Sequence, residues 1–134
     1  MKVLITGGAG YLGTVLTEEI LNRFPYAKVI VYDNLMYKQD GLFSFFKYPK
    51  DRFEFVYGDV RDKNSLLEQL KKLDKDNDYV IPLAAIVGFP ACARDEKLAT
   101  AVNFEHVKYI VQSTKCRIIY PNTNSGYGVS DGEA

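Results

Sequence analysis

A chain of 134 residues is long enough to bury one domain's core and leaves no room for a second. Hydrophobic residues make up 47% and charged residues 25%, the balance of a globular protein rather than a disordered or fibrous one. Seventeen Lys and Arg offset seventeen Asp and Glu with no basic cluster, so neither nucleic acid nor an anionic membrane surface is expected as a partner.

Met1-Lys2 runs directly into Val3-Leu4-Ile5 and then into glycines, which is not the pattern of a signal peptide, and no apolar run reaches the length of a membrane span. Lys2 to Thr6 predicts a first strand, ended by Gly7-Gly8. Tyr11 to Arg23 then places Leu12, Val15, Leu16, Ile20 and Leu21 on one helical face, and Pro25 ends that helix. Lys28 to Tyr32 predicts a second strand, almost wholly apolar, as a strand covered on both faces should be. After Asp33 the pattern is lost through Pro49. The aromatics Tyr37, Phe43, Phe45, Phe46 and Tyr48 in this stretch predict either a short helix capping the sheet edge or a self-association surface.

Phe53 to Tyr57 is the third predicted strand. A helix from Lys63 to about Leu73 follows, with Leu66, Leu67, Leu70 and Leu73 at helical spacing; Lys71-Lys72 and the charges through Asp78 read as its solvated end. Tyr79 to Leu83 predicts a fourth strand, about Asp95 to Thr114 a helix, and Arg117 to Tyr120 a fifth strand before Pro121. Short apolar strands alternating with longer helical segments mark parallel βαβ units. The expected fold is therefore α/β, a Rossmann-type doubly wound parallel sheet in the order 3-2-1-4-5, forming one domain over residues 1–134.

The segment Thr6-Gly7-Gly8-Ala9-Gly10-Tyr11-Leu12-Gly13 carries glycines at 7, 10 and 13, after a strand and at the start of a helix. Gly7 permits the tight turn, Gly10 lets the backbone approach a pyrophosphate, and Gly13 lets the helix lie against the strand. The helix N-terminus offers unpaired N–H groups and partial positive charge to the phosphates. Asp33, at the end of the second strand, lies twenty residues after Gly13. A carboxylate there accepts hydrogen bonds from ribose hydroxyls and repels a 2′-phosphate, so the cofactor expected is NAD rather than NADP. Lys38 is the nearby basic group that could admit a phosphate, and a purely structural turn with a solvated Asp33 is the competing reading.

These residues resemble those of the extended short-chain dehydrogenase/reductases, the NAD-dependent epimerase/dehydratase group that acts mostly on nucleotide sugars. The likeness runs through the whole chain. Thr6 to Gly13 is similar to the family's TGGxGxxG, and Asp33-Asn34-Leu35 to its ribose-binding DN element. Gly58-Asp59-Val60-Arg61-Asp62 resembles GDxRD, which implies that Asp59 accepts from the adenine amino group and Val60 packs on the ring. Leu83-Ala84-Ala85 resembles the LAA stretch along the cofactor, and Asn103 stands at the VN position of the following helix. The resemblance also extends the list of cofactor contacts to Tyr11 and Leu12 within the glycine turn.

Pro121 to Gly128 is similar to the family's SSxxxYG, which places the catalytic Ser/Thr at Thr123. Its hydroxyl would share with a catalytic tyrosine the proton on the substrate oxygen. The 4,6-dehydratases carry an acidic residue two positions before the Tyr of that motif. Ser125 stands there, which shifts the expectation toward epimerase, reductase or decarboxylase chemistry. The family's YxxxK pair is not found: none of Tyr11, Tyr26, Tyr32, Tyr37, Tyr48, Tyr57 or Tyr79 has a lysine four residues later. The resemblance therefore implies the NAD-binding portion of a longer enzyme, truncated before the later strands and substrate lobe, inactive alone, with a nucleotide sugar as partner of the intact enzyme. A non-catalytic NAD-binding or assembly module is the alternative. Homo-oligomerisation is expected because a sheet ending at strand five exposes an edge.

Three other residues complete the reading. His106, the single histidine, has no carboxylate or cysteine at ligand spacing and reads as a surface or packing residue, so no metal is expected. Cys92 reads as a small buried residue, or one that touches substrate from the loop after the fourth strand. It lies far from Cys116, and two free thiols imply a cytoplasmic setting.

Overall fold

Side chains alternate across a strand, so a sheet buried on both faces needs apolar residues at every position. Val3, Leu4 and Ile5 of strand β1 (Lys2–Thr6) meet this demand in a computed structural model that describes residues 1–122. Val3 and Ile5 join one core cluster with Val29, Val31, Phe53 and Ile81, whereas Leu4 joins the opposite one with Ile30, Tyr32 and Val80. The other strands are β2 (Lys28–Asp33), β3 (Phe53–Tyr57), β4 (Tyr79–Pro82) and β5 (Arg117–Ile118). All pair in parallel in the order β3-β2-β1-β4-β5, as the alternating pattern predicts. The winding reverses between β1 and β4, and such a reversal opens a crevice at the carboxyl ends of the strands.

Helix α1 (Tyr11–Arg23) covers the first face together with a 3-10 turn at Gly41–Phe45, whose Leu42 and Phe45 are buried there. The capping role expected of the aromatic stretch is thus filled by Phe45, while Phe43 and Phe46 stay exposed. The inward face of α1 differs from the expected one. Gly13, Thr17, Ile20 and Leu21 are buried and Leu16 partly so, while Leu12 and Val15 point outward. Thr17 can be buried because its hydroxyl donates to the Gly13 carbonyl at 2.7 Å, leaving no polar atom unpaired.

The second face is covered by α2 (Lys63–Leu70), whose N-terminus is capped by Asp62 accepting from the Ser65 amide at 3.1 Å, and by a helical region after β4. The helical stretch expected from about Asp95 to Thr114 is present as one unbroken run over 96–113, with a π-helical turn inside it and a further short helix before it. The whole region comprises α3 (Phe89–Arg94), α4 (Glu96–Thr100), the π-helical turn at Ala101–Glu105 and α5 (His106–Ser113). Asp95 separates α3 from α4 by capping α4, accepting from the Leu98 amide at 3.0 Å. Pro90 fits the first turn of α3, where a backbone N–H has no helical partner to lose.

Asp78 is not a solvated helix end. It is 4% exposed, and its carboxylate accepts from the Lys2 amide at 2.6 Å and the Asp74 amide at 2.7 Å, tying the start of β1 to the turn before β4. Hydrogen bonds to a charged acceptor contribute roughly 1.5–3 kcal/mol each. Asp78→Ala should therefore lower the unfolding free energy by about 2–4 kcal/mol in a urea titration, and an unchanged midpoint would contradict the tether.

Candidate active-site cleft

The turn between β1 and α1 can be built only with glycine at its corners. Gly7 has φ +70°, and a Cβ on it would lie 2.4 Å from the Ala84 nitrogen. A Cβ on Gly13 would lie 2.5 Å from Gly8, so Gly13 brings α1 against the turn itself rather than against the strand. Gly10 differs from both. A Cβ there would meet only the Gly7 oxygen at 3.3 Å, a tight contact, and the Gln39 amide nitrogen at 3.9 Å, an ordinary one, so Gly10 is far less hemmed in than the other two. As the N-cap of α1, Gly10 supplies no capping side chain, and the N–H groups of Tyr11, Leu12 and Gly13 open the helix without one.

Asp33 is fixed at the mouth of this turn. Its Oδ2 accepts from the Ala9 amide at 3.0 Å and its Oδ1 from the Leu35 amide at 2.8 Å. Beyond it, Asn34 Nδ2 reaches Asp59 Oδ2 at 3.4 Å. The Asp59 carboxylate is gripped by Arg61, with Nη2 to Oδ2 at 2.6 Å and the Arg61 amide to Oδ1 at 2.8 Å. The Arg61 side chain holds Asp59 below the usual carboxylate range, so Asp59 is ionised and faces its neighbours purely as an acceptor. Val60 is buried beside it. Tyr32 supports this wall from beneath, its hydroxyl donating to the Asp59 carbonyl at 2.9 Å, and Gly58 is needed because a Cβ there would lie 2.4 Å from the Tyr32 ring.

The opposite wall is Leu83-Ala84-Ala85, continuing from β4, with the Leu83 amide donating to the Thr6 carbonyl at 2.8 Å. Asn103, in the π-helical turn, fastens the next residue by accepting from the Ile86 amide at 2.7 Å and donating to the Ile86 carbonyl at 2.9 Å. Cys92 lies behind this wall, its thiol donating to the Ile86 carbonyl at 3.3 Å; it packs against the core and is absent from the residues that line the cleft.

His106 is a packing residue, 2% exposed. Its Nδ1 faces the Val102 carbonyl, which only accepts, so Nδ1 carries the proton and Nε2 is left to accept from the Thr6 hydroxyl at 3.3 Å. Burial pushes His106 below its ordinary 6.5, against the smaller opposing effect of the Val102 carbonyl. The unfolded chain thus takes up this proton near pH 6.5 and the native chain only at lower pH, so stability falls as pH drops through that interval. Melting temperature should decline between about pH 7.5 and about pH 5.5, and His106→Gln should flatten the decline. The same slope in the variant would contradict this.

The cleft between these walls measures about 1080 Å³. It brings together Gly7, Gly10, Tyr11, Leu12 and Gly13 of the turn, Asp33 and Asn34 after β2, Asp59 and Val60 after β3, and Leu83, Ala84 and Ala85 after β4. Thr123 lies outside the described residues, as do Ser125 and Tyr127. The cleft also takes in Met36, Tyr37 and Gln39, which sequence reasoning missed, because they follow Asp33 where no periodicity marks them. Among the described residues no cluster of His, Cys, Asp and Glu could hold a metal ion, and no helix is long and apolar enough to cross a membrane.

A crevice at the topological switch, floored by an uncapped helix N-terminus and flanked by a fixed carboxylate, is the arrangement of a dinucleotide-binding α/β protein. The profile of the NAD dependent epimerase/dehydratase family matches residues 3–133, and the chain belongs to that family. It is 31% identical over 133 residues to CDP-paratose 2-epimerase of Salmonella typhi, covering 96% of this chain and 38% of that protein. A dTDP-glucose 4,6-dehydratase of Streptomyces venezuelae, solved with NAD bound, superposes with a TM-score of 0.83 at 26% identity, over 100% of this chain and 43% of that one. UDP-glucose 4-epimerase of Thermus thermophilus, solved with NAD, gives 0.66 at 27% identity, over 84% of this chain and 33% of that one. The chain thus spans less than half the length of each of these relatives.

Proposed function

We propose that this chain is the NAD-binding portion of a nucleotide-sugar-modifying oxidoreductase, an epimerase or reductase rather than a 4,6-dehydratase. The observation that carries the reading is the joining of the uncapped amides of Tyr11, Leu12 and Gly13, the lightly crowded Gly10 and the anchored Asp33 carboxylate in one cleft. The space that a Cβ on Gly10 would fill is room for a diphosphate, and the donor set, main-chain N–H groups with no lysine among the cleft residues, suits phosphate oxygens held at a helix N-terminus. Asp33 would hold the adjoining ribose through its hydroxyls, while Asn34, Asp59 and Val60 form the adenine side. Leu83, Ala84 and Ala85 line the path toward the nicotinamide, with Tyr11 and Leu12 across from them. When bound, NAD supplies a carbon that accepts and returns hydride.

Thr123 is proposed to hold the proton on the sugar oxygen, acting with a tyrosine of the longer enzyme. Ser125, where dehydratases carry an acid, supports epimerase or reductase chemistry, as does the likeness to CDP-paratose 2-epimerase. The rival reading, a non-catalytic NAD-binding or assembly module, draws on the lack of a YxxxK pair in these 134 residues. A YxxxK motif in the codons after Ala134 supports the enzyme, and a stop codon there supports the module. Self-association is proposed from β5, the edge strand of the sheet among the described residues, and the exposed Ile119 and Tyr120 beside it; a monomeric sedimentation profile at high concentration would contradict it.

Calorimetric titration tests the binding reading. NAD should bind, and NADP should bind at least about tenfold more weakly because its 2′-phosphate meets Asp33. Equal affinity for the two would overturn the NAD preference, and no heat with either would overturn the reading itself.

A further inference from the structure

Between β2 and the 3-10 turn the backbone takes an unusual course. Leu35 and Lys38 both have positive φ, 55° and 54°, a conformation that side chains with a Cβ adopt only when their surroundings demand it. Asp33 and Asn34 impose it locally by accepting from the Leu35 and Met36 amides, and the Lys38 amide closes a turn onto the Leu35 carbonyl at 2.9 Å. Gly41 then presses on α1, where a Cβ would lie 2.9 Å from Thr14 Cγ2. The result is a strap laid across the first turn of α1, touching it at Thr14 and again at Gly10. The side chain that the strap delivers to Gly10 is Gln39, whose amide nitrogen lies 3.9 Å from the would-be Cβ. Gln39 lines the cleft, is only half-buried, and makes no hydrogen bond to any described residue.

We infer that Gln39 holds the diphosphate from the side opposite α1, its carboxamide donating to the phosphate oxygens seated over Gly10. This rests on the dinucleotide reading and adds a residue to it. The donors of α1 reach the ligand from one side only. A carboxamide offers two N–H donors and no charge, so it adds donors across the gap without a counter-ion of its own to displace. The strained backbone and the close approach of Gly41 have a common outcome, an amide parked over Gly10, the least crowded glycine of the β1–α1 turn.

Gln39→Ala and the nearly isosteric Gln39→Glu should both keep the wild-type melting transition, because the side chain bonds no other described residue. NAD affinity should fall about tenfold in Gln39→Ala, the loss expected for a hydrogen bond to a charged group, and further in Gln39→Glu, where a carboxylate faces phosphate. In the wild-type chain, the Gln39 side-chain N–H₂ resonances, identified by their absence from Gln39→Ala, should move on addition of ADP and not on addition of adenosine. If both variants bind NAD as tightly as wild type, or if ADP leaves those resonances in place, the Gln39 assignment falls while the dinucleotide site stands. If the wild-type chain binds no NAD, both fall together.

Discussion

Gly7→Ala should lower the unfolding free energy by about 3–5 kcal/mol and abolish measurable NAD binding, while Gly10→Ala should leave the fold nearly intact and still lose most of the affinity. The two glycines face different obstacles. At Gly7 a methyl group meets main-chain atoms of Leu83 and Ala84 within 3 Å and the residue has φ +70°, so neither a rotamer change nor a small shift relieves the clash. Backbone strain and overpacking each cost roughly 1–3 kcal/mol, and here they add because the first lies in the backbone of residue 7 itself and the second in its contact with Leu83 and Ala84. At Gly10 a methyl group meets the Gly7 oxygen at 3.3 Å, a contact that a few tenths of an ångström can relieve, and the Gln39 amide nitrogen at an ordinary contact distance of 3.9 Å. What it removes is the space over the turn. Thermal melts and calorimetry on the two variants separate these effects, and a Gly10→Ala chain that binds NAD like wild type would show that the diphosphate sits elsewhere.

The second large effect is expected at Asp33. Asp33→Ala should weaken NAD binding about 10–100-fold, the range for losing hydrogen bonds to an ionised acceptor, and should leave NADP binding unchanged or improved. Asp33 also holds the Ala9 and Leu35 amides, so the alanine variant loosens both the glycine turn and the strap behind it. Asp33→Asn separates the two roles, because its amide oxygen still accepts from one of those N–H groups while the negative charge is gone. If the charge excludes NADP, the Asn variant should narrow the NAD-to-NADP ratio with little change in melting temperature. A ratio equal to wild type in both variants would remove Asp33 from cofactor selection.

The parts of this molecule that were legible in the sequence are those whose causes are local. The strand, turn and helix from Lys2 to Arg23 could be read because an apolar run, glycines at three-residue spacing and a helical period each act within a few residues. The 3-2-1-4-5 order followed from the connectivity of βαβ units, and twelve candidate cofactor residues line one cleft because strand ends and the loops after them converge there in any such sheet. What escaped has long-range causes. Asp78 is buried because Lys2, seventy-six residues away in sequence, donates to it. Helix α3 and the π-helical turn leave no periodic signature, although the turn sets Asn103 against Ile86 and leads into His106 against Thr6. The outward turn of Leu12 and Val15 depends on Gly13 meeting Gly8, a contact the apolar period alone does not foresee.

The account rests on a diphosphate seated on the amides that open α1. Amide-resolved NMR of the isotope-labelled chain, titrated with NAD, observes those groups one by one. The largest shifts should fall on Tyr11, Leu12 and Gly13, with Ala9 and Leu35, whose amides Asp33 holds, following as Asp33 engages the ribose. Saturable binding that leaves these amides in place and moves others, such as those along the β5 edge, would contradict it.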